Sequence, residues 1–325
     1  MALPTTTIDW LLEGDPAIRW QVMRLVGRPE QECEAERALV ATRGMGATLL
    51  SLQGADGSWN GVAWNRGWNS TMHVLLLLRD MGLDPESPAA RRAIDRVAGS
   101  VVWHGDPSYE GNAFFDGEVE PCINGQTGAA GAYFRQDVRM LIERLLAEQL
   151  PDGGWNCDAD RGSVRSSFNT TICVLEALLE YERNIRRDVA VQDARRRGEH
   201  YLLARHLYLR LSTGEAIPFD RKTGNDDSGH PAWTRIAFPT WWHYDVLRGL
   251  EYFRLAGGQP DERLAEAVAL VASKADAESR WPLELSYPGT MPVSLGDVPG
   301  APSRWNTLRA ARVIEWYADG GVIKA

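Results

Sequence analysis

LLSLQGADGSWN at residues 49–60 and LLAEQLPDGGWN at residues 145–156 decide the fold, because one spacing of Leu, Gln, Gly and Trp occurs in both. Such a match indicates a chain built from structural repeats. Leu and Gln four residues apart share a helix face, Gly ends the helix, and Trp folds back as an apolar plug with one N–H to satisfy. Each copy is therefore predicted to end a helix and to fasten it to its neighbour. The shared residues are Leu49, Gln53, Gly57 and Trp59 in the first copy and Leu145, Gln149, Gly153 and Trp155 in the second.

The repeated turn resembles the repeat of squalene–hopene cyclases and other terpenoid cyclases. In that family, Gln-to-Trp turns tie together the helix pairs of an α/α toroid. The resemblance implies an all-α fold, namely an α/α toroid of roughly five to six helical hairpins with parallel inner helices. We expect a single domain of this kind over residues 1–325.

Two alternating sets of helices are predicted along the chain from its apolar periodicity. One set is less charged, which suits an inner ring, and several of its members begin with Asn, Ser or Thr, residues that favour helix N-termini. Parallel inner helices would bring all their N-termini to one mouth of the ring. The outer set is predicted near residues 34–53, 88–103, 136–149, 188–208 and 261–275, and the inner set near 69–82, 123–135, 168–183, 241–256 and 305–318.

One long connection, residues 211–239, is polar and rich in glycine. Loops of this length are usually functional or mobile. The sequence therefore predicts either a lid across the mouth of the ring or a plain surface excursion.

Composition limits the class of protein. Apolar residues make up 44% of the chain, and the net charge of −9 argues against nonspecific nucleic-acid binding. The first residues lack the pattern of a signal peptide, and no stretch approaches about 18 uninterrupted apolar residues. We expect a cytoplasmic protein with a small hydrophobic substrate. Its four cysteines are more typical of buried thiols or metal ligands than of disulfides, and Cys33 and Cys173 are predicted to be buried thiols.

Three zinc-binding side chains fall just before, or at the start of, consecutive inner helices. Cys122 precedes the second, Cys157 precedes the third, and His243 is predicted in the first turn of the fourth. A catalytic zinc site uses three protein ligands and an open position. The toroid would bring these segments together, so the sequence predicts a Zn²⁺ site with Cys122, Cys157 and His243 as ligands. Asp158 is expected to be a fourth ligand or to orient one.

On these residues the chain is also similar to the β subunits of protein prenyltransferases. Those proteins share the toroid and hold zinc near its mouth with Asp, Cys and His. Asp158, Cys157 and His243 supply the same ligand types, although the Asp-x-Cys order of that family is absent here and Cys122 is extra. The lanthionine cyclases, zinc-bearing toroids with Cys and His ligands, are a second analogy at the level of the fold.

Acidic and aromatic residues give further candidates. Squalene cyclases protonate their substrate with an Asp-x-Asp-Asp motif, which this chain lacks; the nearest pairs are Asp158 with Asp160 and Asp226 with Asp227. Either pair could keep one carboxyl protonated, or could be exposed loop acids. His73, at the start of the first inner helix, is another candidate catalytic residue. Aromatic rings could stabilise carbocations or simply fill the core. The candidate substrate-binding residues are Trp64, Trp68, Asn69, Phe168, Asn169, Trp241, Trp242 and Trp305.

The leading interpretation is a zinc-dependent toroid enzyme that acts on a hydrophobic, isoprenoid-like substrate by cyclisation, elimination or alkyl transfer. Two alternatives remain open. One is a metal-free, acid-initiated class II terpenoid cyclase, and the other is a non-catalytic toroid used for binding.

Overall fold

The computed structural model describes residues 3–217 and 233–320. The candidate acids Asp226 and Asp227, and residues 218–232 of the predicted lid, lie outside these ranges.

The described residues form thirteen α-helices, with short 3-10 turns and isolated β-bridges besides them. The all-α prediction is therefore confirmed. Within the described ranges, no helix has the length and apolar character needed to cross a membrane. The helices are α1 (Thr5–Leu12), α2 (Pro16–Leu25), α3 (Glu30–Ala38), α4 (Gly44–Ser51), α5 (Thr71–Asp80), α6 (Pro88–Ser100), α7 (Pro121–Tyr133), α8 (Arg139–Ala147), α9 (Phe168–Asn184), α10 (Val189–Leu203), α11 (Val246–Ala256), α12 (Ala265–Ala272) and α13 (Arg304–Ala318).

Six of these helices form a closed inner ring in the order α2, α5, α7, α9, α11 and α13. Contacts link successive members from α5 to α13, and α13 packs on α2. The ring closes where the Trp20 indole of α2 donates to the Met81 carbonyl at the end of α5, at 2.9 Å. Helices α4, α6, α8, α10 and α12 alternate with the inner helices along the chain, outside the ring. The fold is an α/α toroid.

Neighbouring inner helices contact each other through residues at similar distances from their N-termini, as expected for parallel helices packed side by side. The sixth residues of α11 and α13, Glu251 and Arg309, form an ion pair at 2.5 Å. Gly125, the fifth residue of α7, lies so close to α9 that a Cβ there would come within 2.6 Å of the Cys173 backbone. The inner N-termini therefore share one face of the ring.

The repeated turn holds each outer helix to the next inner one. Trp59 is fully buried and donates its indole N–H to the Leu49 carbonyl at 2.7 Å, while its backbone N–H donates to the Thr71 hydroxyl at 3.1 Å. Gln53 donates to the Ala93 carbonyl of α6 at 2.8 Å. The turn thus joins α4, α5 and α6. In the second copy, Trp155, Leu145, Thr171, Gln149 and Ala194 make the same three bonds at 2.7, 3.1 and 2.8 Å.

A third copy of the turn is present that the sequence analysis missed. Trp281 donates its indole N–H to the Val271 carbonyl at 2.7 Å and its backbone N–H to the Thr307 hydroxyl at 2.9 Å. Ser279 takes the place of the turn glycine, with a φ of 59°. Ala275 stands where the other copies have Gln. The geometry of the turn is kept although only Trp is shared by name.

Several predicted helix boundaries were wrong, among them the end of the outer helix expected over 188–208, which stops at Leu203. The outer helix expected over 34–53 is divided into α3 and α4, because Gly44 adopts a φ of 65° and the Asp15 carboxylate accepts the Met45 N–H at 2.8 Å. The inner helix expected over 241–256 begins only at Val246, because Asp245 is its N-cap.

The N-terminal asparagines of the inner helices do not act as caps. Ser167 and Ser303 are the N-caps of α9 and α13, and each accepts an N–H of the first turn. Asn169 and Asn306 lie inside those helices and bond to loops instead. Asn169 accepts the Tyr244 N–H from the loop before α11 at 2.7 Å, and Asn306 donates to the Pro282 carbonyl in the loop before α13 at 2.9 Å.

Candidate functional site

Cys122 and Cys157 meet at the face of the ring that holds the inner N-termini. Cys122 is the second residue of α7. The Cys157 thiol lies 3.4 Å from the Thr170 hydroxyl in the first turn of α9. The positive ends of two helix dipoles therefore lie beside these thiols, which favours negative charge there.

A third ligand-type side chain joins them, and it is Glu120. One ligand atom from each of Glu120, Cys122 and Cys157 lies within 4.8 Å of the other two, and the Cys122 Sγ is 3.8 Å from the Glu120 Oε2. Cys122 is buried, Cys157 is half-buried and Glu120 is exposed. This is the one such group among the described residues.

The chemistry of these three side chains fits a divalent zinc ion. Two thiolates and a carboxylate are ordinary zinc ligands, and three protein ligands leave one position open. Without a cation the thiolate form of Cys122 is disfavoured, because its hydrogen bond with Cys157, and then its burial, raise the pKa of the Cys122 thiol well above its usual value. A bound cation reverses this preference, since coordination stabilises the thiolate.

His243 does not lie with this group, although the sequence predicted it as the third ligand. Its imidazole is stacked between Trp242, at a centroid distance of 3.8 Å, and Tyr287, at 3.7 Å. It precedes α11 rather than lying in its first turn. Burial lowers the pKa of His243 to about 3, so the ring is neutral at pH 7.

The other predicted acids are on the surface. Asp158 is exposed and pairs with Arg161 at 3.2 Å, and Asp160 is exposed as well. Neither belongs to the group formed by Glu120 and the two cysteines. Cys33 and Cys173 are buried thiols, as predicted.

His73 lies inside an aromatic cluster rather than against open space. Trp68 and Trp241 stack with centroids 5.4 Å apart, and the His73 ring meets both edge-on at 5.2 and 5.1 Å. Its Nδ1 is 2.7 Å from the Ser70 hydroxyl, while its Nε2 has no partner among the described residues. Burial lowers the pKa of His73 to about 3 and keeps the ring neutral.

The remaining candidate substrate-binding residues are divided between the aromatic packing and a cavity. Trp64 lies 6.4 Å from His73, and the Asn69 carboxamide accepts bonds from Asn60 and Asn65. Phe168 stacks on Trp233 at 4.3 Å. Those that line the cavity are Trp241 and Trp305.

The cavity has a volume of about 510 Å³ and runs inside the ring towards the C-terminal ends of the inner helices. Its lining is highly charged, although the inner helices are the less charged set in the sequence. It includes buried ion pairs, with Arg248 bonded to Glu176 at 2.7 and 2.9 Å. The charged lining residues are Arg24, Arg37, Arg79, Asp80, Glu176, Glu180, Arg183, Arg248, Glu251, Arg254, Arg309, Arg312 and Glu315.

The sequence contained one signal for Glu120 that was overlooked. Glu120-Pro121-Cys122 has the order acid-x-Cys, with Glu where the prenyltransferase pattern has Asp. A search for either acid beside a cysteine would have found it. The cavity arginines gave no comparable signal, because they are dispersed over five inner helices and α3.

Comparison with known proteins yields structural likenesses only. No protein-family profile and no curated protein matches the chain. Among solved structures it is similar to a protein from Actinoplanes, at 15% identity over 95% of this chain and 97% of that one, with a TM-score of 0.46. It is similar to a variant of the type II terpene cyclase MstE from Scytonema, at 15% identity over 92% and 84% of the two chains, with a TM-score of 0.42. The ent-copalyl diphosphate synthase from Streptomyces platensis matches at 16% identity over 94% of this chain and 50% of that one, with a TM-score of 0.41. Terpene cyclases are thus among the structures that the chain resembles, and this likeness concerns the fold alone.

Proposed function

We propose that this toroid is a zinc-dependent enzyme in which Glu120, Cys122 and Cys157 hold the metal. The observation that carries the proposal is that their three ligand atoms lie within 4.8 Å of one another at the face of the inner N-termini. Three ligands of these types leave a coordination position for a substrate or water, as catalytic zinc sites require. Glu120 is exposed and Cys157 half-buried, so the site can be reached from solvent.

The residues around the site have separate tasks in this proposal. Cys122 and Cys157 bind as thiolates, which the N-termini of α7 and α9 stabilise. Zinc, when bound, supplies a Lewis acid for a substrate oxygen or activates a bound thiolate or water. The substrate is proposed to be hydrophobic and isoprenoid-like, on the basis of the repeated turns. The reaction class is cyclisation, elimination or alkyl transfer.

Metal analysis of the purified protein tests the proposal. We expect about one zinc ion per chain, and we expect Cys122→Ser and Cys157→Ser to lose most of it, because each removes one of three ligands. Cys33→Ser is the matched control and should keep its zinc, since Cys33 is a buried thiol outside the group.

Two results of that analysis would overturn the zinc proposal. One is wild-type protein without metal, and the other is a folded Cys122→Ser variant with its full zinc content. Circular dichroism on each variant separates loss of metal from loss of fold. Zinc bound with an open position would also count against the non-catalytic binding toroid.

A metal-free, acid-initiated cyclase is the second candidate, and one observation favours it. Asp80 and Glu180 line the cavity, and burial raises the pKa of both carboxyls in spite of the nearby Arg79. They are better placed to act as buried acids than the exposed Asp158 and Asp160. The arginine-rich wall counts against it, because guanidinium charges would repel a carbocation in the same cavity. Metal-free wild-type protein would make it the better hypothesis.

A further inference from the structure

Several residues that line the cavity have a buried side-chain nitrogen without a hydrogen-bond partner among the described residues. Every buried side-chain N or O atom that lines the cavity and lacks a partner in the described ranges is a nitrogen donor. Buried polar groups are normally hydrogen-bonded, so a set of this kind needs an explanation. The five atoms are the Nε of Arg24, Arg254 and Arg312 and the indole Nε1 of Trp305 and Trp316.

The formal charge of the cavity wall is positive, and it therefore favours the same kind of ligand as the unpartnered N–H donors do. Eight arginines and five carboxylates line the cavity, a formal excess of three positive charges, although Arg24 and Arg37 are also paired with Glu30 and Glu34 outside the lining. The deepest carboxylates already have partners. Glu176 pairs with Arg248, and Glu251 pairs with both Arg309 and Arg312 at 2.5 and 2.6 Å.

Arg254 is the one buried arginine of the cavity wall without an ion pair among the described residues, whereas Arg183, also unpaired there, is exposed. Only 9% of the surface of Arg254 is accessible. Its side chain makes no hydrogen bond or ion pair with the residues that the structure describes. Burial, together with the neighbouring charge of Arg312, lowers the pKa of Arg254 to about 9. An isolated buried cation is costly unless a partner neutralises it.

We infer that this cavity binds a small ligand that carries an oxyanion group, a phosphate or a carboxylate, and that Arg254 is its central contact. An oxyanion only accepts hydrogen bonds, and a guanidinium such as that of Arg254 only donates them. The planar guanidinium fork suits both groups, because each can take two parallel N–H bonds. A cavity of about 510 Å³ has the size of an ordinary small-molecule site.

This site is separate from the proposed zinc site. None of Glu120, Cys122 and Cys157 lines the cavity. The cavity follows the inner helices towards their C-terminal ends, whereas the cysteines lie at the N-terminal ends of α7 and α9. The oxyanion site can therefore be tested whether or not the protein binds metal.

Calorimetric titration with inorganic phosphate and, separately, with succinate tests the inference at constant ionic strength, so that screening is the same throughout. We expect at least one of them to bind and to raise the melting temperature. Tighter binding of phosphate would assign a phosphate-bearing ligand, and tighter binding of succinate would assign a carboxylate. Arg254→Met should weaken binding about tenfold or more, because it removes a charged hydrogen-bond donor.

The stability of Arg254→Met without ligand separates binding from a structural role. If Arg254 serves the ligand, the ligand-free variant should melt at the same or a higher temperature than the wild type, because an unpaired buried charge is gone. Arg254→Lys keeps the charge but loses the planar fork, and it should bind more weakly than the wild type while staying folded. Arg196→Met removes an exposed arginine of α10 that is paired with Asp193, and it should leave binding unchanged.

Two results would overturn the inference. The first is that neither phosphate nor succinate binds the wild-type protein at millimolar concentration, which would mean that water satisfies the donors of the cavity wall. The second is that both Arg254 variants fold and bind as tightly as the wild type, which would place the bound anion elsewhere.

Discussion

Trp155→Ala is expected to lower the free energy of unfolding by about 3–5 kcal/mol. The Trp155 side chain is completely buried, and its indole N–H donates to the Leu145 carbonyl at 2.7 Å. Its backbone N–H is held by the Thr171 hydroxyl at the start of α9. Removal of the indole therefore leaves a large cavity and an unpaired carbonyl where α8 joins α9. Urea denaturation of the two proteins measures the difference.

Two further variants make this test specific to the repeated turn. Trp281→Ala should cost a similar amount, because Trp281 has the same bonds in the third copy. Trp64→Ala should cost less, since Trp64 is only partly buried and belongs to no repeated turn. An unchanged midpoint for Trp155→Ala would show that the turns do not hold the ring together.

The toroid could be predicted because the first two turns repeat both in residue type and in spacing. Leu, Gln, Gly and Trp each have a separate physical task there, and all of these tasks are visible in the structure. The third turn was not recognised in the sequence because Val271, Ala275 and Ser279 stand at the positions of Leu, Gln and Gly. A backbone carbonyl can accept the indole N–H whatever its side chain is, and a serine can adopt the φ of 59° that glycine adopts more easily.

Glu251→Gln is expected to lower the free energy of unfolding by about 3–5 kcal/mol, because it removes the shared carboxylate from a buried charge cluster. Glu251 lies between Arg309 and Arg312, with ion pairs at 2.5 and 2.6 Å. Burial alone would raise the pKa of Glu251, but the two arginines hold it at about 2. The substitution leaves Arg309 and Arg312 without their counter-charge beside Arg254. Urea denaturation at pH 7 is the measurement.

Glu143→Gln is the matched control for this substitution. Glu143 is exposed on α8, so its replacement should change the free energy of unfolding by less than about 0.5 kcal/mol. If Glu251→Gln were as mild as this control, the cluster would be well hydrated, and the electrostatic argument for the cavity would fail with it.

The ligands of the proposed zinc site could be predicted only in part. Cys122 and Cys157 come together because each precedes or begins an inner helix, and inner helices are parallel. His243 was expected by the same rule, but Asp245 caps α11 and delays its start, so the His243 ring turns into the stack between Trp242 and Tyr287. A shift of a few residues in a helix boundary is enough to remove a ligand from a site.

The cavity wall could not be predicted from the apparent polarity of the inner helices. Their apolar runs suggested an apolar interior, while single residues such as Arg79, Arg248 and Arg309 looked like ordinary polar positions in the sequence. Whether such a residue faces solvent or a partner across the ring depends on helix rotation. In the structure Arg248 and Arg309 are buried and paired with Glu176 and Glu251 on the neighbouring inner helices.

X-ray absorption at the zinc edge of the purified wild-type protein tests the central claim most directly, because it identifies the atoms bound to the metal. The proposal predicts zinc with two sulfur neighbours at about 2.3 Å and oxygen neighbours at about 2.0–2.2 Å, from Cys122, Cys157 and Glu120. A zinc shell of nitrogen and oxygen alone, or protein with no zinc edge, would contradict it.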